Sequence, residues 1–216
     1  MKKILFMLVA VLCMGLVSCN SCKSEKADNA TKDSTEAVVN SDSALVLENI
    51  ISMDRQDMYT NYKQDYRWYE SCVVLKDFMD DENCDGTIAG VSNVFQYMDN
   101  VDEKSADVYV VLYTHTPDTT SVEVKHAFWV EDMPMNDDAI KVTFKEAFDK
   151  MMQANCPKPH SRNCVLRKEV GPNTINPQYI FGNSQAQIYV DAVTGAVTDK
   201  NPAFPTELKM PLGEWP

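Results

Sequence analysis

The chain has 216 residues, 44% of them hydrophobic, with 32 acidic against 20 basic side chains and a formal net charge of -12. So acidic a chain lacks the basic face of a nucleic-acid binder, which excludes nucleic acid as a partner, and it has little attraction for anionic lipid. Its seven glycines build no Gly-x-Ser-x-Gly elbow, Walker-type loop or dinucleotide turn.

In chain order, Lys2 and Lys3 precede an apolar run from Ile4 to Leu12. That run is short of the about 20 apolar residues a bilayer requires, so residues 1–18 are expected to be a removable export signal. The run closes on Leu16, Val17, Ser18 and Cys19, which resembles the lipobox of bacterial lipoproteins. The resemblance implies cleavage before Cys19, a diacylglycerol on its sulfur and acylation of the new amino group. With Asn20 in place of aspartate, it also implies the outer membrane, on either face. Several acyl chains hold more firmly than one. Cleavage would leave 216 − 18 = 198 residues and, with Lys2 and Lys3 gone, a charge of −12 − 2 = −14. After the lipidated Cys19, the stretch to residue 43 is polar and has too little apolar surface to offset the entropy of ordering. It is expected to be a tether.

From residue 44 the fold class is read as α+β: antiparallel sheet with helices packed on one face, arranged as two similar helix-plus-sheet units over 44–135 and 142–216. Leu45, Leu47, Ile50, Ile51, Met58 and Tyr62 predict an amphipathic helix over 44–64, less regular in its second half. Strands are predicted over 66–77 and 87–98, around a polar loop ending in Asp85-Gly86. A hairpin of 107–116 with 121–131 follows, its second arm placing Val122, Val124, His126 and Phe128 on one face of a half-buried sheet. Thr143 and Glu146 form a capping box that opens a helix carrying Phe144, Ala147, Phe148, Met151 and Met152. Strands then follow at 164–170, 178–181 and 185–191, closed by Thr194-Gly195.

The helix opened by Thr143, Glu146 and Ala147, and the closing Tyr-Val-Asp-Ala-Val-Thr-Gly-Ala-Val at 189–197, make residues 142–197 resemble a PepSY-type domain. In that motif Val190 points inward, Asp191 starts a turn, Gly195 supplies its backbone freedom and Val197 resumes the strand. The resemblance implies an exported binding or inhibitory module with no agreed catalytic residues. Residues 44–131 follow the same plan, so a divergent tandem pair is a further expectation.

Four cysteines remain in the domain, Cys72, Cys84, Cys156 and Cys164. In an oxidising compartment they read as two disulfides with three connectivities open; the local pairs Cys72–Cys84 and Cys156–Cys164 are favoured because each closes a short loop. Asp81, Asn83 and Asp85, with Gly86, occupy the first, third, fifth and sixth positions of a calcium loop, but Ser92 stands where a bidentate Glu is needed, so a plain acidic turn competes with calcium as a cofactor. His115, His126 and His160 lie in no nucleophile or zinc motif. The aromatics Tyr59, Tyr62, Tyr66, Trp68 and Tyr69 read as core before ligand surface. Ser34, Ser43 and Thr119 sit in short Asp-Ser/Thr segments that resemble O-glycosylation acceptors of some anaerobic Gram-negative bacteria.

These readings converge on a non-enzymatic envelope lipoprotein that touches the membrane through its lipid and binds a protein or peptide. A calcium-stabilised sensor or adaptor is the alternative, and a hydrolase the third class. An enzyme would show a histidine or carboxylate pair in a cleft.

Overall fold

The computed structural model describes residues 44–100, 106–130, 132–173 and 175–204. The expected export signal, Cys19, the tether with Ser34 and Ser43, and the tail from 205 lie outside the described residues. Two α-helices, α1 (Leu47–Asp57) and α2 (Phe144–Gln153), accompany nine strands: β1 (Arg67–Leu75), β2 (Ile88–Asn100), β3 (Ala106–His115), β4 (Thr120–His126), β5 (Asp132–Met133), β6 (Asn163–Glu169), β7 (Gln178–Gly182), β8 (Gln187–Asp191) and β9 (Val197–Thr198). All pairings are antiparallel and the main sheet runs β4-β3-β2-β1-β6-β7-β8-β9, with β5 paired to the end of β6. The fold is α+β, as the alternation of periods predicts.

Each half is a helix followed by a meander, and each meander runs outward from the central pair β1–β6. Because directly opposed residues share a face, the registers define two rows across the sheet. One row is Val122, Tyr113, Asn93, Ser71, Leu166, Tyr179, Val190; the other is Thr120, His115, Val91, Val73, Cys164, Phe181, Ile188. Both helices lie on this face: α1 reaches it through Asp54 to His115, and α2 through Phe144 and Phe148 to Phe181. Buried residues from Leu47 to Ala192 form one core spanning both halves, so the boundary expected between 135 and 142 does not separate two cores.

Local chemistry accounts for the element ends. The Thr143 hydroxyl accepts from the Glu146 amide and the Glu146 carboxylate accepts from the Thr143 amide, so the expected capping box is formed. Asp191 accepts from the amides of Val193 and Thr194 at 2.9 and 2.8 Å, and Gly195 sits at φ 72°, a region favourable only to glycine. Val197 then pairs with Val190. α1 is shorter than predicted: from Met58 to Tyr62 it widens into a π-helical turn. There the Thr60 hydroxyl donates to the Gln56 carbonyl at 2.7 Å, competing with the backbone for that acceptor.

Two expectations are corrected. The second arm of the hairpin ends at His126, short of 131, and is not half-buried: Val122 and Val124 of β4 are 37% and 44% exposed, and Phe128 beyond it is 70% exposed. α1 covers β2 and β3 but stops short of β4, and alternation of side chains does not reveal whether anything lies over them. Nor is either expected disulfide closed, because Cys84, Cys156 and Cys164 are free thiols. Cys72 alternates with Ser71 and Val73 and so faces away from the helices, whereas Cys84 lies in the core on the helix side. The sheet stands between them, and burial raises the pKa of both Cys84 and Cys164.

Candidate functional site

α1 carries Leu47, Ile50, Ile51, Asp54 and Met58 toward the sheet, which makes Asp54 a carboxylate on an apolar stripe. It is 3% exposed, and a buried charge needs partners. His115 Nε2 approaches its two oxygens at 2.8 and 3.0 Å, and Asn93 Nδ2 donates to it at 2.6 Å. Behind Asn93, the Ser71 hydroxyl donates to the Asn93 carbonyl, and Trp68 Nε1 donates to the Ser71 hydroxyl at 3.2 Å. On the other side of the imidazole, Nδ1 meets the Thr120 hydroxyl at 3.1 Å. One turn along, Asp57 accepts from the Tyr113 hydroxyl at 2.6 Å; burial first, then this bond, pushes the phenol well above its ordinary range.

Above this polar floor a groove of about 640 Å³ runs between α1 and β3–β4, lined by Met53, Gln56, Asp57, Thr60, Asn61, Tyr113 and Val122 among others. Among the described residues the lining carries Asp54 and Asp57 and neither lysine nor arginine. The same two rows beneath α2 hold Leu166, Tyr179, Cys164 and Phe181, so the polar network occupies in the first half the place that aromatic packing fills in the second.

β4 forms the outer wall of the groove and, among the described residues, one open edge of the sheet. Thr116 N donates to Thr119 O and Ala127 N to Val108 O. Antiparallel pairing alternates hydrogen-bonded with non-hydrogen-bonded pairs, so Ser121, Glu123 and Lys125 direct their backbone groups to β3. Thr120, Val122, Val124 and His126 direct theirs outward.

A second polar cluster lies on the face away from the helices. Arg167 meets Glu169 at 2.7 Å, Asp132 at 3.6 Å and Glu70 at 3.7 Å, three carboxylates around one guanidinium. Burial, opposed by Arg167 and reinforced by Glu70, raises the Asp132 pKa to about 7. Its carboxyl in an unfolded chain titrates near about 3.9, so the folded state holds a proton that the unfolded state has released, and stability is lost as pH rises from about 4 through 7. Asp132→Asn, which stays neutral, is expected to be more stable than the parent by on the order of 2 kcal/mol at pH 8, with little advantage at pH 4. Urea denaturation at the two pH values checks this; a pH-independent difference contradicts it.

The fold does not gather the other sequence candidates. Asp81 Oδ1 accepts from the Asn83 amide and Asp85 Oδ1 from the Thr87 amide, so these side chains stabilise their own turn, and β2 follows where a calcium loop needs an exiting helix. Among the described residues no group of three or more His, Cys, Asp or Glu is placed to hold a metal. Thr119 is exposed, its hydroxyl within 2.9 Å of that of Thr116. His126 and His160 are exposed and each meets an aspartate, Asp107 and Asp80. Trp68 and Tyr69 are buried while Tyr59 is exposed. Asp54 and His115, 61 residues apart, are joined only by the fold; the one signal in the sequence is a carboxylate at a core position of the α1 stripe. Among the described residues no helix is long and apolar enough to cross a membrane. Compared with family models, curated proteins and solved structures, the chain matches none.

Proposed function

We propose that the chain is an exported lipoprotein, held at the outer membrane through Cys19, whose α+β domain is a non-enzymatic protein-binding module that takes an extended segment along β4. The carrying observation is β4 itself, a seven-residue edge strand exposed on both faces whose outward amides and carbonyls offer the bonds of strand addition. The groove beside it supplies pockets for alternate side chains of the incoming segment. The resemblance of residues 142–197 to PepSY-like modules points the same way by analogy.

Val124→Pro tests this reading. The Val124 amide points away from β3, so proline removes an outward donor without removing a bond from the β3–β4 ladder. With a photo-crosslinking residue at Val122 of the full chain in its own envelope, an adduct mapping to an extended protein segment is expected in the parent and lost with Val124→Pro. No adduct, or one indifferent to the proline, overturns the proposal.

A second reading rests on Thr120, His115 and Asp54, which stand in the hydroxyl, imidazole, carboxylate order of nucleophilic hydrolases. It ranks second because His115, which lines the floor of the groove, is only 4% exposed and has both ring nitrogens engaged. Labelling of Thr120 by a fluorophosphonate would decide for it.

A further inference from the structure

The β4 edge also carries information about which partner it fits. On the face away from the helices stand Glu123 and Lys125, joined to each other at 2.9 Å; on the helix face stand Val122 and Val124. Suppose a second β4 adds antiparallel to the first. Residues with outward backbone groups must oppose one another, so the two-fold axis passes through a residue, and the choice of residue fixes every pair. An axis at Glu123 sets glutamate against glutamate, and one at Lys125 sets lysine against lysine. An axis at Val124 sets Glu123 of each copy against Lys125 of the other, Val124 against Val124, and Val122 against His126. The Glu–Lys pairs then fall at non-hydrogen-bonded positions, where opposed side chains stand closest.

Resting on the reading of β4 as the docking edge, we infer that its partner is a second copy of this chain, paired β4 to β4 about a two-fold axis at Val124. Such an interface is isologous and closes after two copies, and two chains tethered to one membrane meet at raised effective concentration. It continues the sheet across both molecules and covers the exposed valines of both.

Charge exchange in the full chain, purified in mild detergent, tests the pairing. Glu123→Lys alone and Lys125→Glu alone each oppose like charges twice and are expected to weaken dimerisation roughly tenfold or more. An equimolar mixture of the two restores it, because every opposed pair is then Glu with Lys; sedimentation velocity reads all three. In addition, Val124→Cys should form a disulfide dimer, its opposed Cα atoms standing about 5.5 Å apart. Val122→Cys should not, because its counterpart lies about 13 Å away along the strands. A monomeric parent with no Val124→Cys crosslink overturns the inference, as does a dimer indifferent to charge reversal. If in either case the Val122 photo-crosslinker still captures a different protein in a proline-sensitive way, the docking edge stands and self-pairing alone falls. If the proline-sensitive adduct is missing as well, both fall.

Discussion

Asp54→Ala is expected to lower the stability of the domain by about 3 kcal/mol, the scale for stripping a buried charge from its hydrogen-bonded partners. Every donor in the network points to this carboxylate: Trp68 to Ser71, Ser71 to Asn93, Asn93 to Asp54, and His115 to Asp54 from the other side. Without it, the Asn93 amide and the His115 Nε2 proton are left buried and unpaired at 0% and 4% exposure. Asp54→Leu would complete the apolar stripe of α1 but would orphan the same donors, so it should recover little. Asp54→Asn keeps one acceptor and sets its own amide against that of Asn93, which predicts an intermediate loss. Urea denaturation of the three variants measures the series. A loss below about 1 kcal/mol for alanine would show that α1 is held by Leu47, Ile50 and Met58 alone. The consequence for function is direct, since the groove exists only while α1 stays pinned over Tyr113 and His115.

Elements that depend on neighbours in the chain could be read before the fold was known. The Thr143–Glu146 capping box and the Asp191–Gly195 turn are closed by residues three and four apart, and the hairpin joining β3 to β4 needs only the turn between Thr116 and Thr119. What could not be read depends on contacts across long separations. The central β1–β6 pairing joins Cys72 to Val165, and no local pattern announces it. The Asp54–His115 pair looked like two isolated polar residues because helix periodicity and strand alternation each describe one element at a time. The cysteines misled for a related reason: short spacing suggested small loops, but alternation along β1 puts Cys72 on one side of the sheet and the core position of Cys84 puts it on the other. On β4 the alternation was genuine, and only the reach of α1 decided that its valines would stay exposed.

The second large effect belongs to the other half of the sheet. Phe181 is fully buried on β7, with Phe144 and Phe148 of α2 at 6.0 and 6.2 Å between ring centroids and Tyr179 at 6.5 Å. Phe181→Ala removes a large side chain from a site walled by other rings, which are tied to their own backbones and cannot collapse into the space. The expected loss is about 4 kcal/mol, transfer and cavity contributions together, read as a shift in urea midpoint with an unchanged m-value. β7 lies five strands from β4 in the sheet order, about 24 Å at ordinary strand spacing. At that distance energetic effects add independently, so molecules of Phe181→Ala that remain folded should associate through β4 as tightly as the parent. Asp54→Ala should not leave association untouched, because Asp54 holds His115, whose neighbour across the ladder is Thr120 at the head of β4. Two variants of similar instability that differ in association would tie the docking edge to the α1 network; equal loss in both would mean that association follows global stability alone.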